Sequence, residues 1–115
     1  REWRRFAPLI EALGYHGLHV TEHHFQADGF LPSPLVALAQ AAGLTQRVKL
    51  VPNILVSTLY NPVQLLEDLA TLDNLSEGRL IFGTAPGYAS EEFAGRGVPY
   101  AERFKRHEEI VDFLQ

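Results

Sequence analysis

Apolar residues recur along this chain at two spacings, and the switches between them mark its elements. In residues 1–15, Trp3, Phe6, Ile10 and Leu13 form a helical stripe with Leu9 alongside, and Gly14 follows as a stop signal. Residues 17–22 are a short apolar run between Gly17 and a polar loop, which predicts a strand. Ser33 as a cap and Pro34 at the first helical position open a helix that runs to Gly43. Residues 47–56 are rich in β-branched side chains and predict a second strand, with Pro52 and Asn53 marking a bulge or distortion inside it. The clearest helix covers residues 61–78. Asn61 caps it, Pro62 follows, and Gln64 stands where a capping box needs it. Val63, Leu66 and Ala70 share one of its faces, joined by Leu65, Leu69 and Leu72, and Gly78 ends it. Residues 79–85 predict a third strand, residues 86–99 a loop, and residues 100–115 a last helix.

The resulting order is α, β, α, β, α, β, loop, α. Strands and helices alternating with short connections imply an α/β fold with parallel strands and right-handed crossovers. An open doubly wound sheet and a (β/α) barrel share this pattern, and in both the ligand lies beyond the C-terminal ends of the strands. That edge holds Glu22-His23-His24, the stretch from Pro52 to Thr58, and residues 83–88. The opposite edge holds residues 44–47 and 72–79.

Composition narrows the function. The 115 residues are 46% hydrophobic and 21% charged, which is globular usage, with a net charge of −4. Mild acidity argues against a nucleic-acid partner, and no apolar run approaches the roughly 20 residues of a membrane span. With no cysteine, disulfides and thiol catalysis are excluded. The chain lacks methionine and opens on arginine, which is expected of a piece of a longer protein.

Glu22, His23 and His24 admit three readings at this level. They are metal ligands, with Asp28 as the one nearby addition; polar loop residues or groups that satisfy buried hydrogen bonds; or the seat of a catalytic or cofactor-facing histidine, whose imidazole suits proton transfer or hydrogen bonding to a reactive oxygen species. Neighbouring residues on a strand point to opposite faces, so the two histidines converge on one ion only if the strand has already ended. Gly83 and Gly87 match neither a dinucleotide fingerprint nor a P-loop, and read as turn glycines or as a close approach of backbone to a flat ligand. Arg103, Arg106 and Glu109 are spaced by three, either as a solvated helix face or with Arg103 turned to a ligand.

Taken together, these stretches resemble the luciferase-like flavin-dependent monooxygenases and oxidoreductases across nearly the whole chain. "TEHHF" is similar to the family's segment after its second barrel strand. Residues 47–88 resemble the third strand, third helix and fourth strand in unbroken order, and the run "LDNLSEGR" is especially specific. Residues 91–114 resemble the stretch that follows.

The resemblance implies a partial TIM (β/α)8 barrel. Residues 1–115 would be an incomplete domain carrying parallel strands two to four with helices one to four, and lacking strand one and strands five to eight. It also implies a flavin-dependent oxidoreductase, a monooxygenase using reduced flavin and molecular oxygen on a small organic substrate. The alternatives are a deazaflavin-dependent hydride transferase and a non-catalytic flavin-binding barrel. His23 is the implied catalytic residue beside the reactive part of the ring, with Glu22 orienting it or supporting the pocket electrostatically. The cofactor, FMN or alternatively a deazaflavin, is implied to meet Asn53, Ile54, Gly83 and Ala85, with a cis peptide at Asn53–Ile54. Where bacterial luciferase has an arginine near the flavin phosphate this chain has Pro86, so the anchoring charge falls to Arg103 or to residues elsewhere. A cytoplasmic homodimer, with reduced flavin supplied by a reductase and a dimer face on helices 35–42 and 63–72, completes the expectation. "LDNLSEGR" is expected to close a turn on the barrel floor, with Asp73 paired to Arg79.

Overall fold

A computed structural model describes residues 2–27 and 30–115. Asp28, weighed above as a metal ligand, lies outside the described residues, as do Arg1 and Gly29. The elements are α1 (Trp3–Ala12), β1 (Gly17–Val20), α2 (Pro34–Ala42), β2 (Lys49–Pro52), α3 (Pro62–Leu75), α4 (Ser90–Arg96) and α5 (Arg103–Leu114), with single 3-10 turns at Ser57–Leu59 and Tyr100–Glu102. The fold is α/β. β1 and β2 pair in parallel, with Gly17 opposite Lys49 and Val20 opposite Pro52. Among the described residues no helix is long and apolar enough to cross a membrane.

The expected third strand is not a regular strand. Residues 79–85 pair with β2 and its extension at two isolated parallel bridges, Leu50 with Leu80 and Leu55 with Thr84. Pro52 offers no N–H to the ladder, so the pairing lapses there and resumes beyond it. The expected distortion coincides with that gap: the Asn53–Ile54 peptide is cis. Gly83 sits in the gap, where an added Cβ would lie 2.6 Å from the Pro52 carbonyl oxygen.

The helices bury faces that differ in detail from the stripes read in the sequence. In α3, Leu65, Leu69 and Leu72 are buried at i, i+4, i+7 spacing, while Val63 and Leu66 stay exposed. In α1, Ala7 is buried with Trp3 and Ile10 packed beside it, whereas Phe6, Leu9 and Leu13 are exposed. The main core joins the α1 face and Leu72 of α3 to Leu18 and Val20 of β1, Leu38 and Ala41 of α2, and Leu50 of β2. Leu65 and Leu69 pack instead with Leu55 and with Ile110 of α5 in a second cluster. Trp3 Nε1 donates to the Ala37 carbonyl at 3.0 Å and ties α1 to α2.

Asn61 caps α3 as expected, accepting from the N–H groups of Val63 and Gln64. The capping box does not form: the Gln64 amide turns forward to Asp68, at 3.0 Å. Ser33 occupies the cap position of α2, but its side chain makes no capping bond. The segment 86–99, expected as a loop, contains α4, closed by Gly97 at φ +68°.

The floor of the fold, at the N-terminal ends of the strands, holds two polar clasps. Arg79 is buried, and its guanidinium donates to the carbonyls of Ser76 (2.7 Å), Ala42 (2.9 Å) and Val48 (3.2 Å) and to Thr45 Oγ1 (2.8 Å). The expected Asp73–Arg79 pair is therefore replaced by main-chain acceptors. Asp73 serves the turn through its own carbonyl, which accepts from Gly78 N–H at 3.0 Å. In the second clasp, the Glu11 carboxylate accepts from the N–H groups of Gln46, Arg47 and Val48 at the entry to β2. The Val48 and Arg47 donors hold its carboxyl below the usual range.

Candidate functional site

At the other end of the strands the chain leaves β1 at Thr21, and the next three side chains enter a polar cluster. Glu22 has a fully buried side chain. Its Oε2 accepts from Val56 N–H at 2.6 Å, and its Oε1 accepts from the Tyr60 hydroxyl at 2.6 Å and meets His24 Nε2 at 2.8 Å. A buried carboxylate needs such donors to offset lost hydration. Burial, and then the neighbouring Glu22 charge, push the Tyr60 hydroxyl well above its ordinary value of 10.0. The Glu22 carboxylate thus fastens the end of β1 to the segment following the cis peptide.

The imidazole partner of Glu22 is His24 rather than His23, which leaves support of the pocket as the one of its two expected roles that this geometry favours. His23 is held instead by Glu92, a buried residue of α4. Glu92 Oε1 lies 3.0 Å from His23 Nδ1 and accepts from His24 N–H at 2.9 Å. The His23 ring is 23% exposed and meets Phe30 and Tyr88 edge-on, at 4.9 and 6.0 Å between centroids. Sequence periodicity does not single out Glu92, because α4 is too short to show it. The available signal was a pair of acidic residues opening a short turn that ends at Gly97, a helix pattern only seven residues long.

A pocket of about 160 Å³ opens beside His23. Glu22, His23 and Glu92 line one side; Asn53 and Ile54 of the cis peptide, Ala85 and Tyr88 line the others. Five of the seven residues expected at the site, Glu22, His23, Asn53, Ile54 and Ala85, therefore converge. Bonds across the gap set the far wall: Leu55 N–H donates to the Gly83 carbonyl (2.9 Å), Ala85 N–H to the Leu55 carbonyl (3.1 Å), and the Thr58 hydroxyl to the Pro86 carbonyl (3.0 Å). Gly83 supports this wall without lining the pocket. Arg103 does not line it either. Its guanidinium stacks 4.0 Å from the Tyr100 ring and 4.3 Å from the Phe104 ring, and its buried Nε has no acceptor. Arg103 Nη1 donates to the Tyr100 carbonyl at 3.1 Å, and Arg106 donates to the Thr58 carbonyl at 3.3 Å. Among the described residues no three His, Asp or Glu side chains converge as a metal site.

The family model described as luciferase-like monooxygenase matches residues 1–115. The chain belongs to this family. Limonene 1,2-monooxygenase of Rhodococcus erythropolis is 30% identical over 105 residues, covering 91% of this chain and 27% of its own. The crystal structure of monooxygenase RslO1 from Streptomyces bottropensis superposes with a TM-score of 0.92 at 35% identity, over 98% of this chain and 35% of that one. A more distant likeness is the coenzyme F420 dependent tetrahydromethanopterin reductase from Methanopyrus kandleri, with a TM-score of 0.68 and 28% identity over 85% of this chain and 26% of that one. The luciferase-like chain thus spans about a third of the length of the proteins it matches.

Proposed function

We propose that the chain is an arc of a (β/α)8 barrel, strands two to four with helices one to four, in a flavin-dependent monooxygenase that uses FMN and molecular oxygen on a small organic substrate. One observation carries this reading: His23, pinned at Nδ1 by a buried carboxylate, shares a pocket with the cis Asn53–Ile54 peptide and Ala85 in a chain of the luciferase-like family. The exposed apolar side chains of Ile54, Ile81 and Tyr88 support it, as a surface that further barrel strands and a flat ligand would cover.

The residues present fit a flavin. A pocket of about 160 Å³ would take part of a ring system and leave the rest of the molecule outside it. Asn53, Ile54 and Ala85 would contact the ring, and Gly83 would hold their wall close to Pro52. The unpartnered Nε of Arg103, a fixed cation in aromatic surroundings, suits the phosphate. Bound reduced flavin supplies the electrons that activate oxygen. The protein's share is to exclude water and to move a proton at His23 Nε2, the ring nitrogen that Glu92 leaves open. Glu22 supports the pocket from beneath, through Val56, Tyr60 and His24.

The reading extends to a cytoplasmic homodimer fed with reduced flavin by a reductase. The exposed Val36, Val63, Leu66 and Leu75 of α2 and α3 would form the dimer face. Deazaflavin-dependent hydride transfer is the second reading, favoured by the F420 dependent neighbour and by Pro86. Oxygen uptake separates the two in the full-length protein. Consumption coupled to substrate on addition of reduced FMN supports the monooxygenase. Turnover of a reduced deazaflavin without oxygen uptake supports the second reading. Stoichiometric flavin binding without turnover by either route rejects both.

A further inference from the structure

The geometry points to Glu92 as the positioning residue of His23, an inference that rests on the proposed role of His23. A single carboxylate oxygen, Oε1, reaches both the His23 ring at Nδ1 (3.0 Å) and the main-chain N–H of His24 (2.9 Å). The first contact sets the ring's rotation. The second fixes the backbone from which the neighbouring ring projects. Glu92 is 1% exposed, so water does not compete for this oxygen.

The chemical consequence is a choice of tautomer. A carboxylate accepts only, so the neutral ring facing it carries its proton on Nδ1 and donates that proton to Oε1. Nε2 then presents its lone pair on the side of the ring away from Glu92. When Nε2 takes a proton from a ligand in the pocket, the resulting imidazolium lies against the Glu92 carboxylate, and returning that proton restores the neutral ring. The proton count balances: the proton gained at Nε2 is the one returned.

A second carboxylate keeps His24 out of this role. His24 Nε2 is 2.8 Å from Glu22 Oε1, its ring is nearly buried, and the Glu22 side chain has no exposure. The two adjacent imidazoles are thus divided: Glu22 locks His24 into the support of the pocket, and Glu92 aims His23 at its interior. Phe30 and Tyr88 meet the His23 ring edge-on and limit its other rotations.

The test uses the full-length protein labelled with 15N-histidine, with the His23 signal assigned by its loss in His23→Asn. The wild type should show His23 protonated at Nδ1 and bare at Nε2 under conditions where the ring is neutral. Glu92→Gln keeps an acceptor oxygen but removes its charge, so it should retain that tautomer and lower kcat less than Glu92→Leu does. Glu92→Leu should shift the ring toward the Nε2–H tautomer and lower kcat roughly 10- to 100-fold, with flavin affinity little changed. Far-UV circular dichroism confirms that each variant is folded. A wild-type ring protonated at Nε2, or a folded Glu92→Leu protein with unchanged tautomer or unchanged kcat, would overturn the inference. His23→Ala separates the two levels. Loss of turnover there, with none in Glu92→Leu, rejects only the role of Glu92. No loss in either variant rejects the reading of the site.

Discussion

Both ends of the strands bury charge, but they use it differently. At the floor, Arg79 donates to three main-chain carbonyls and a threonine hydroxyl, and Glu11 collects three main-chain N–H groups. Nearly every partner is backbone, so the charges staple turns. At the rim, Glu22 and Glu92 bind side chains as well as backbone, and one of those side chains, His23, lines a pocket. The contrast teaches that the most distinctive sequence need not be the one that lines a pocket. "LDNLSEGR", the most specific run of the family resemblance, closes a turn around Arg79. The less distinctive "EHH" places a partly exposed His23 beside a pocket.

The sharpest way to break this contrast is to remove the floor's cation. Arg79→Met leaves the Ser76, Ala42 and Val48 carbonyls without their donor in a buried site. It should destabilise the full-length protein by about 3 kcal/mol. Urea unfolding measures the loss, and the folded fraction should keep its kcat. A large fall in kcat with unchanged stability would place Arg79 in the chemistry and erase the division.

A smaller effect is expected at the rim's support. Tyr60→Phe removes one of three donors from Glu22 and should cost about 1–2 kcal/mol. Its pH dependence carries a sign. The Tyr60 hydroxyl is raised above its value of 10.0 in the folded chain, so the unfolded chain loses that proton first. The Tyr60 contribution is intact below about pH 10 and declines as pH rises beyond it. In Tyr60→Phe the alkaline decline in the unfolding midpoint should be shallower than in the wild type; an equal slope would contradict the buried Tyr60–Glu22 bond.

Much of this was legible in the residues. Pro62 after Asn61 and Pro34 after Ser33 place two helix starts, and the apolar runs after Gly17 and before Pro52 locate both strands. The family resemblance brought Glu22, His23, Asn53, Ile54 and Ala85 to one place, and the pocket contains all five. What failed were partnerships. Which carboxylate faces which imidazole depends on α4, whose Glu92 is 69 positions from His23 and meets it only after folding. Periodicity needs several turns to show, and α4 has two. The third strand failed for another reason: local β-propensity in residues 79–85 says nothing about whether the neighbour can donate, and Pro52 cannot.

The central claim is that the rim pocket performs chemistry with His23 while Glu22 and the floor only hold it. Turnover of His23→Ala in the full-length protein, measured beside its flavin affinity and unfolding midpoint, tests this most directly. The expected result is a fall in kcat of about 100-fold or more, with affinity and midpoint close to wild type. Unchanged turnover in a folded, flavin-binding His23→Ala protein would contradict it.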